Sequence, residues 1–394
     1  MARIPLAGLQ CGRQRDRDRC RIAVDRGVPA ATRPGTAQVV IRADLAVVGA
    51  GPVGLSTALA LSESGLSCTV ISAAPEGLEQ LPPAGVEVTA PSLSWAQPQL
   101  VSRLQARSRR LWIDWMVRLA QETGVDLGYV RIGLLAIGAE AERGLRAEDS
   151  AWQPVAPQSC ESRLAGVDGP GLFRPDFSQV RHDRLVHALE LALRRRDVEV
   201  LDDSHACQLV VTGNVVPEVL LADGSVVSAD AVVLAAEDRL AGLLYESGLD
   251  PLDLPQGRAH YLLFNPGSRL LDHVVVSPEL CLVPQPDGRL LAIDRLPAAS
   301  VSDGDALDEL LTRVVNHLPA LNRFDLQRHW LGPLPGVAGG RPMLGPYPHL
   351  RNLWINAGHY RNGLDIAPAL AELLAEHFQG GPGLPGLAVA IRPD

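Results

Sequence analysis

The stretch that most limits what this chain can fold into is Gly49-Ala50-Gly51-Pro52-Val53-Gly54. It reads G-x-G-x-x-G, with a short apolar strand before it (Asp44 to Val48) and a helical pattern after it (Val53 to Ser64). A second apolar run, Cys68-Thr69-Val70-Ile71, follows Gly65, so the unit is β-α-β. Each glycine answers a separate physical need. Gly49 permits the tight turn, Gly51 lets a pyrophosphate approach the backbone, and Gly54 lets helix and strand pack closely. The helix N-terminus then offers unshared N–H groups and the positive end of its dipole. Gly49, Gly51, Pro52, Val53 and Gly54 are therefore expected to hold a dinucleotide. The bland alternative is a glycine-rich turn in a fold that has lost its cofactor. An acidic side chain is expected at the end of the second strand, facing the ribose hydroxyls. That position is Ser72. Serine can bond one hydroxyl without a carboxylate's charge, a loss of about 1–3 kcal/mol.

The 394 residues suffice for two interlocked domains. A net charge of −9 opposes nucleic acid and anionic membranes as partners, and no apolar run is long enough to span a bilayer. All 36 basic side chains are arginine. Pyridoxal Schiff-base chemistry and phosphate-loop lysines are thereby excluded, and an anion must be held by Arg or His. Compositional bias accounts for the missing lysine more simply than function does. Cys11, Cys20, Cys68, Cys160, Cys207 and Cys281 show no C-x-x-C pair and no metal-ligand spacing, so free thiols in a reducing cytoplasm are expected and no metal is. Residues 1–42, with Arg13 to Arg19 alternating basic and acidic, lack apolar periodicity and read as a disordered extension. An Arg-rich transit peptide is the alternative, against which Asp16 and Asp18 argue.

Further along, Leu104, Leu111, Trp112, Trp115 and Leu119 mark a helix over 101–122 that stops at Gly124. Val130 to Ile137 reads as a strand, Asp183 to Arg196 as an amphipathic helix, and Ala229 to Ala236 as a buried strand. Pro286-Asp287-Gly288 marks a hairpin between two apolar runs. Ala306 to Leu318 is a third helix, Leu353 to Asn356 a last strand, and Ile366 to Phe378 a last helix. Trp112 and Trp115 are expected in the core, and His182 and His187 at the surface or at a cap.

The most informative stretch is Gly358-His359-Tyr360-Arg361-Asn362-Gly363, followed by Leu364 and then Ala367-Pro368. It lies between a strand and a helix. This segment resembles the flavin-contacting C-terminal loop of the D-amino acid oxidase superfamily, and the glycine oxidases in particular. Ala229 to Ala236 is similar to that family's strand beside the adenosine. Val283-Pro284 with Asp287-Gly288-Arg289 is similar to its hairpin, and Trp330, Gly332, Pro335, Gly340, Pro342 and Gly345 to its approach to the flavin. The resemblance runs from about residue 43 to 380.

The resemblance implies an α/β fold: a Rossmann-like FAD-binding domain carrying an inserted antiparallel-sheet substrate domain. The expected division is 43–90, 161–245 and 336–394 for FAD, and 91–160 and 246–335 for substrate. It implies FAD as cofactor and a small amine or amino acid as substrate. Hydride would pass to flavin N5, oxygen or another acceptor would take the electrons, and the imine would hydrolyse. Ser72, Ala235 and Ala236 would serve the adenosine side, and Ala206 would be a further cofactor contact. Gly358, His359, Tyr360, Arg361, Asn362, Gly363 and Leu364 would serve the flavin, with His359 structural. Tyr261, Arg341 and Arg361 are the candidate substrate contacts.

Several positions depart from the family pattern. Leu334 stands where the family places the arginine that grips the substrate carboxylate. Arg341 or Arg361 would then take that role, or the substrate lacks a carboxylate. Glu237 and Ile293 replace glycines, the loop Gly85 to Pro91 lacks the usual small residues, and Asp365 replaces an apolar residue. An alternative is therefore a homologue with weakened catalysis acting as a subunit or interaction partner. Homo- or hetero-oligomerisation is left open.

Overall fold

A computed structural model describes residues 39–73, 93, 98–147, 151–236, 239–250, 252, 256–295, 303–335 and 342–381. Two eight-stranded sheets organise them. The first runs Met343–Pro346, Leu353–Ala357, Val226–Leu234, Val40–Val48, Cys68–Ile71, Glu199–Leu201. All its pairs on this path are parallel except the first. An antiparallel extension, Ala206–Thr212 with Val215–Leu221, joins along Val226–Leu234. Leu45 to Val48 are all buried, as expected of a parallel strand covered on both faces. One face carries the helices Pro52–Glu63, Gln99–Thr123, His182–Arg194 and Gly363–Phe378. The other carries the antiparallel extension and the helix Leu240–Glu246.

The opening strand begins at Val40, inside the segment expected to be disordered. Val40 to Ala43 form ladder pairs with Val226 to Ala229. Their outward Val40, Arg42 and Asp44 hide this from apolar periodicity, because only alternate residues meet the core.

The second sheet runs Leu326–Pro335, Gln256–Phe264, Leu290–Asp294, Leu280–Pro284, Val274–Val276, Leu134–Ile137, Gly171–Arg174, Gln153–Val155. It is antiparallel apart from the pair Val274–Val276 with Leu134–Ile137. The helix Asp303–His317 covers one face, packing Leu310, Leu311 and Val314 on Leu262, Phe264, Leu282 and Ala292. Alternation along the strands sends Tyr261, Leu263 and Cys281 to the opposite face. The strand expected over 130–137 is split at Gly133, whose φ of +75° carries the chain around Phe173.

Packing moves two elements across the expected domain division. The helix Gln99–Thr123 was expected in the substrate domain. Its buried stripe of Leu104, Trp112, Trp115 and Leu119 instead joins the first sheet's helical core. Strand Gly171–Arg174 was expected in the FAD domain and pairs with Leu134–Ile137 in the second sheet.

Pro368 explains how that long helix docks. A proline inside Gly363–Phe378 removes the N–H that would reach the Leu364 carbonyl four residues back. The Trp112 indole N–H donates to that carbonyl instead, at 3.2 Å. The next N–H, of Ala369, donates to Ser108 Oγ at 3.1 Å. Both partners sit on the Gln99–Thr123 helix, so the break in one helix is closed by the other. Trp112→Phe keeps the ring and deletes the donor. It is expected to cost about 1–3 kcal/mol, the price of an orphaned buried carbonyl, read as a lower urea midpoint with unchanged m-value.

Candidate functional site

Chain order reverses at one place in the first sheet. From Val40–Val48 the chain continues to Cys68–Ile71 on one side, while Val226–Leu234 pairs on the other. In open α/β sheets ligands bind at the carboxyl ends of the strands at such a switch point. Gly49 leaves the first strand there. Its N–H donates to Ile71 O at 2.9 Å, and Ala235 N–H donates to Val48 O at 2.8 Å. The turn is thus fastened to both neighbouring strands.

The three motif glycines separate cleanly by what a side chain would meet. At Gly49 (φ +115°) a Cβ would lie 2.5 Å from Ala235 O, and at Gly54 it would lie 1.9 Å from Gly49 O. Those two are glycines because the fold requires them. At Gly51 a Cβ would find nothing within 4 Å and no backbone strain. Its smallness serves the open space in front of the helix. Gly51 N-caps the helix Pro52–Glu63 without a side-chain cap, and no acidic residue sits in the first turn. Unshared N–H groups, a positive helix end and clear space fit an anionic pyrophosphate. Gly51→Ala should leave the melting temperature of the apoprotein unchanged and weaken FAD binding about tenfold. Gly54→Ala should lower the apoprotein melting temperature itself. Differential scanning fluorimetry paired with flavin titration separates the two.

Of the remaining expected adenosine-side residues, Ser72, Ala235 and Ala236 lie at the strand ends beside Gly49. Ser72 directly follows Cys68–Ile71, donating its N–H to Leu201 O at 3.0 Å and accepting from Ser204 N–H at 2.8 Å. Ala206 opens its strand and packs with Ala236 on the cluster under the sheet. Glu237 lies outside the described residues, as do Arg341 and Gly85 to Pro91.

The late loop meets the early one. Strand Leu353–Ala357 ends beside Val226–Leu234, and Gly358 (φ +70°) turns the chain toward the helix Gly363–Phe378. A Cβ on Gly363 would sit 3.7 Å from Val53 Cγ2, so the two helix starts are in contact. A buried polar chain joins them. Asn356 Nδ2 donates to Thr57 Oγ1 at 3.0 Å, and Thr57 donates to Val53 O at 2.8 Å. Asn356 Oδ1 pairs with His359 Nε2 at 3.0 Å. Asn362 Oδ1 accepts from Gln105 Nε2 at 3.2 Å, and its N–H donates to His359 O at 3.0 Å. His359 and Asn362 are both 1 % exposed, so their side chains shape the loop rather than face substrate. Tyr360 projects outward with φ +53°. Leu364 is buried in the helical core. Asp365, unexpected beside a flavin, falls in the first turn of its helix, where the dipole favours a negative charge. Asn356→Ala removes one buried hydrogen bond from Thr57 and one from His359. Expected is a loss of about 1–3 kcal/mol in unfolding free energy, seen in urea titration.

Arg361 points to the second sheet. Its Nη2 donates to Asp294 O at 3.4 Å, and its guanidinium carbon lies 5.4 Å from the Tyr360 ring centroid. Across the strands of that sheet Trp330, Tyr261, Ile293 and Cys281 form one row on one face. Tyr261 and Trp330 are stacked, with centroids 5.2 Å apart and planes 8° from parallel. Ile293, the departure from glycine, thus sits between Tyr261 and Cys281. Burial pushes the Cys281 thiol up to about 12, with Arg295 and Arg361 pulling the other way. Cys281 is therefore a neutral apolar wall and no nucleophile. Leu334 lies in strand Leu326–Pro335 opposite Gly257.

The structure thus brings the five early-loop residues, Ser72, Ala235 and Ala236 to one crevice, and the late loop against it. Arg361 links that loop to the strand beside Tyr261. Sequence reasoning missed Thr57, Gln105, Asn356 and Asp294. Gln105 and Ser108 carried a usable signal: polar residues on the stripe of an amphipathic helix that Leu104, Trp112 and Trp115 bury. Among the described residues no group of three His, Cys, Asp or Glu side chains is arranged for a metal, and no helix is long and apolar enough to cross a membrane.

A dinucleotide crevice at a parallel-sheet switch point, faced by a second sheet through a glycine-rich late loop, defines a two-sheet flavin-dependent oxidoreductase. The chain belongs to the FAD dependent oxidoreductase (DAO) family, whose model matches residues 44–377. It is 31% identical over 349 residues to a glycine oxidase of Pseudomonas putida, covering 85% of this chain and 94% of that protein. A glycine oxidase of Pseudomonas aeruginosa is 28% identical over 345 residues, covering 85% and 94%. The solved glycine oxidase of Geobacillus kaustophilus superposes with a TM-score of 0.76 at 23% identity, over 90% of this chain and 99% of that one.

Proposed function

We propose that this FAD-dependent oxidoreductase oxidises the amine carbon of a small amino acid or amine, with oxygen or another acceptor taking the electrons. One observation carries the reading: the early and late glycine loops touch, and Arg361 extends from that junction to the strand beside the Tyr261–Trp330 pair. When bound, FAD accepts two electrons from the substrate and hands them on. Gly49, Gly51 and Gly54, with the start of Pro52–Glu63, are assigned to the pyrophosphate. Ser72, Ala206, Ala235 and Ala236 are assigned to the adenosine. The N–H groups at the start of Gly363–Phe378 have no side-chain cap on Asn362 and favour negative charge in front of them. His359 and Asn362 hold the loop in shape for that purpose.

On the substrate side, Tyr261, Trp330 and Ile293 supply an apolar, partly covered wall that keeps water from the reacting carbon. Arg361 is the favoured partner for a substrate carboxylate. Its guanidinium is held by a 3.4 Å bond to the Asp294 carbonyl and lies 5.4 Å from the Tyr360 ring, neither of them a full charge, so reorienting it costs little. The similarity to glycine oxidases supports a small amino acid. Four described free thiols, Cys68, Cys160, Cys207 and Cys281, support a reducing compartment such as the cytoplasm.

The test is anaerobic bleaching of the flavin absorption by glycine, sarcosine and D-amino acids. Bleaching by at least one supports the reading, and a flavin-loaded protein that none of them reduces would sink it. Arg361→Gln should raise KM about 10–100-fold for an acidic substrate with kcat less affected. Leu334→Arg places a guanidinium at the family's carboxylate position and should lower KM for glycine in steady-state peroxide assays.

A further inference from the structure

Arg239 and His205 meet beside the strand ends proposed for the adenosine side. Ser72 stands where the carboxylate is expected. The loop leaving Glu199–Leu201 is tied to Ser72 through the Ser204 N–H and presents His205 next. Arg239 reaches the His205 ring, with Nη1 3.2 Å from Nε2 and also in contact with Nδ1. Arginine has donors only, so the imidazole accepts from it. Arg239 is itself anchored at the far side of the crevice, its N–H donating to Ala236 O at 2.7 Å. Ala235-Ala236 is the backbone against which Gly49 packs. The strand ends carrying Ala236 and Ser72 flank the strand that ends at Gly49. The Arg239–His205 pair therefore connects the two flanks of the nucleotide crevice, and both side chains are half-buried.

We propose that Arg239, aimed by His205, binds the adenosine diphosphate half of FAD, supplying the charge-assisted contact that Ser72 lacks. This rests on the FAD reading. A planar guanidinium suits both a phosphate edge and the face of a purine. Loss of the acid at position 72 and presence of this cation are then one compensated change: the ribose loses a charged acceptor and the anionic half of the cofactor gains a charged donor.

The experiment titrates apoprotein with FAD, ADP and FMN, following flavin fluorescence directly and ADP by competition, alongside the apoprotein melting temperature. R239Q should weaken FAD and ADP by the same factor, about tenfold or more. FMN affinity and the melting temperature should stay at wild-type values. Wild-type affinity for FAD should also fall more steeply with added salt than that of R239Q. H205A, which leaves the cation in place without its guide, should show a smaller loss of the same pattern and carries the test if R239Q does not fold. Unchanged FAD and ADP affinity in both variants overturns the proposal, and so does a loss shared equally by FMN. A wild-type protein that binds neither FAD nor ADP removes the cofactor reading, and this proposal with it.

Discussion

The fold's active half depends on a buried polar chain from the Val53 carbonyl through Thr57 and Asn356 to His359. It joins segments separated by 299 residues. Hydrophobic packing between the first and last helices is strong but weakly directional, and it would tolerate a helix sliding by a fraction of a turn. Hydrogen bonds between buried groups do not tolerate this, because each misplacement leaves a donor or acceptor unpaired. The chain therefore fixes the distance between the two glycine loops, which is the distance a bridging dinucleotide has to match.

The same logic runs through the Gln99–Thr123 helix. Its apolar stripe supplies the burial, while Gln105, Ser108 and Trp112 supply direction by bonding Asn362, Ala369 N–H and the Leu364 carbonyl. Pro368 frees the acceptor of one of those bonds, the Leu364 carbonyl. A proline that weakens a helix in isolation here creates the acceptor by which the helix is located. The helix and loop facing the flavin side are thus positioned by a neighbour that lies outside the β-α-β unit.

Much of this architecture was legible in the sequence because the cofactor cradles are made of backbone. Gly49, Gly54 and Gly358 are there for φ angles and close approaches, and such needs leave a mark in the residue types themselves. The start of the opening strand was hidden because Arg42 and Asp44 face outward. The placement of the Gln99–Thr123 helix was hidden for another reason: an amphipathic stripe states that a face is buried, not what buries it. Asn356 and Thr57 gave no local sign, since a partner 299 residues away has no fixed spacing.

That contrast also explains where the chain departs from its relatives. A pyrophosphate held by N–H groups is indifferent to most side chains around it, so serine at position 72 is compatible with the proposed phosphate cradle. A substrate held by side chains has no such protection, and Leu334 in place of an arginine changes the chemistry offered to a carboxylate. The residues that still face the second sheet from the flavin side are Arg361 and the loop that presents it. In the proposed site the cofactor half is made of backbone and the substrate half of side chains, the wall of Tyr261, Ile293 and Trp330. On that proposal substrate identity is a question about one face of the second sheet, and cofactor identity a question about one end of the first.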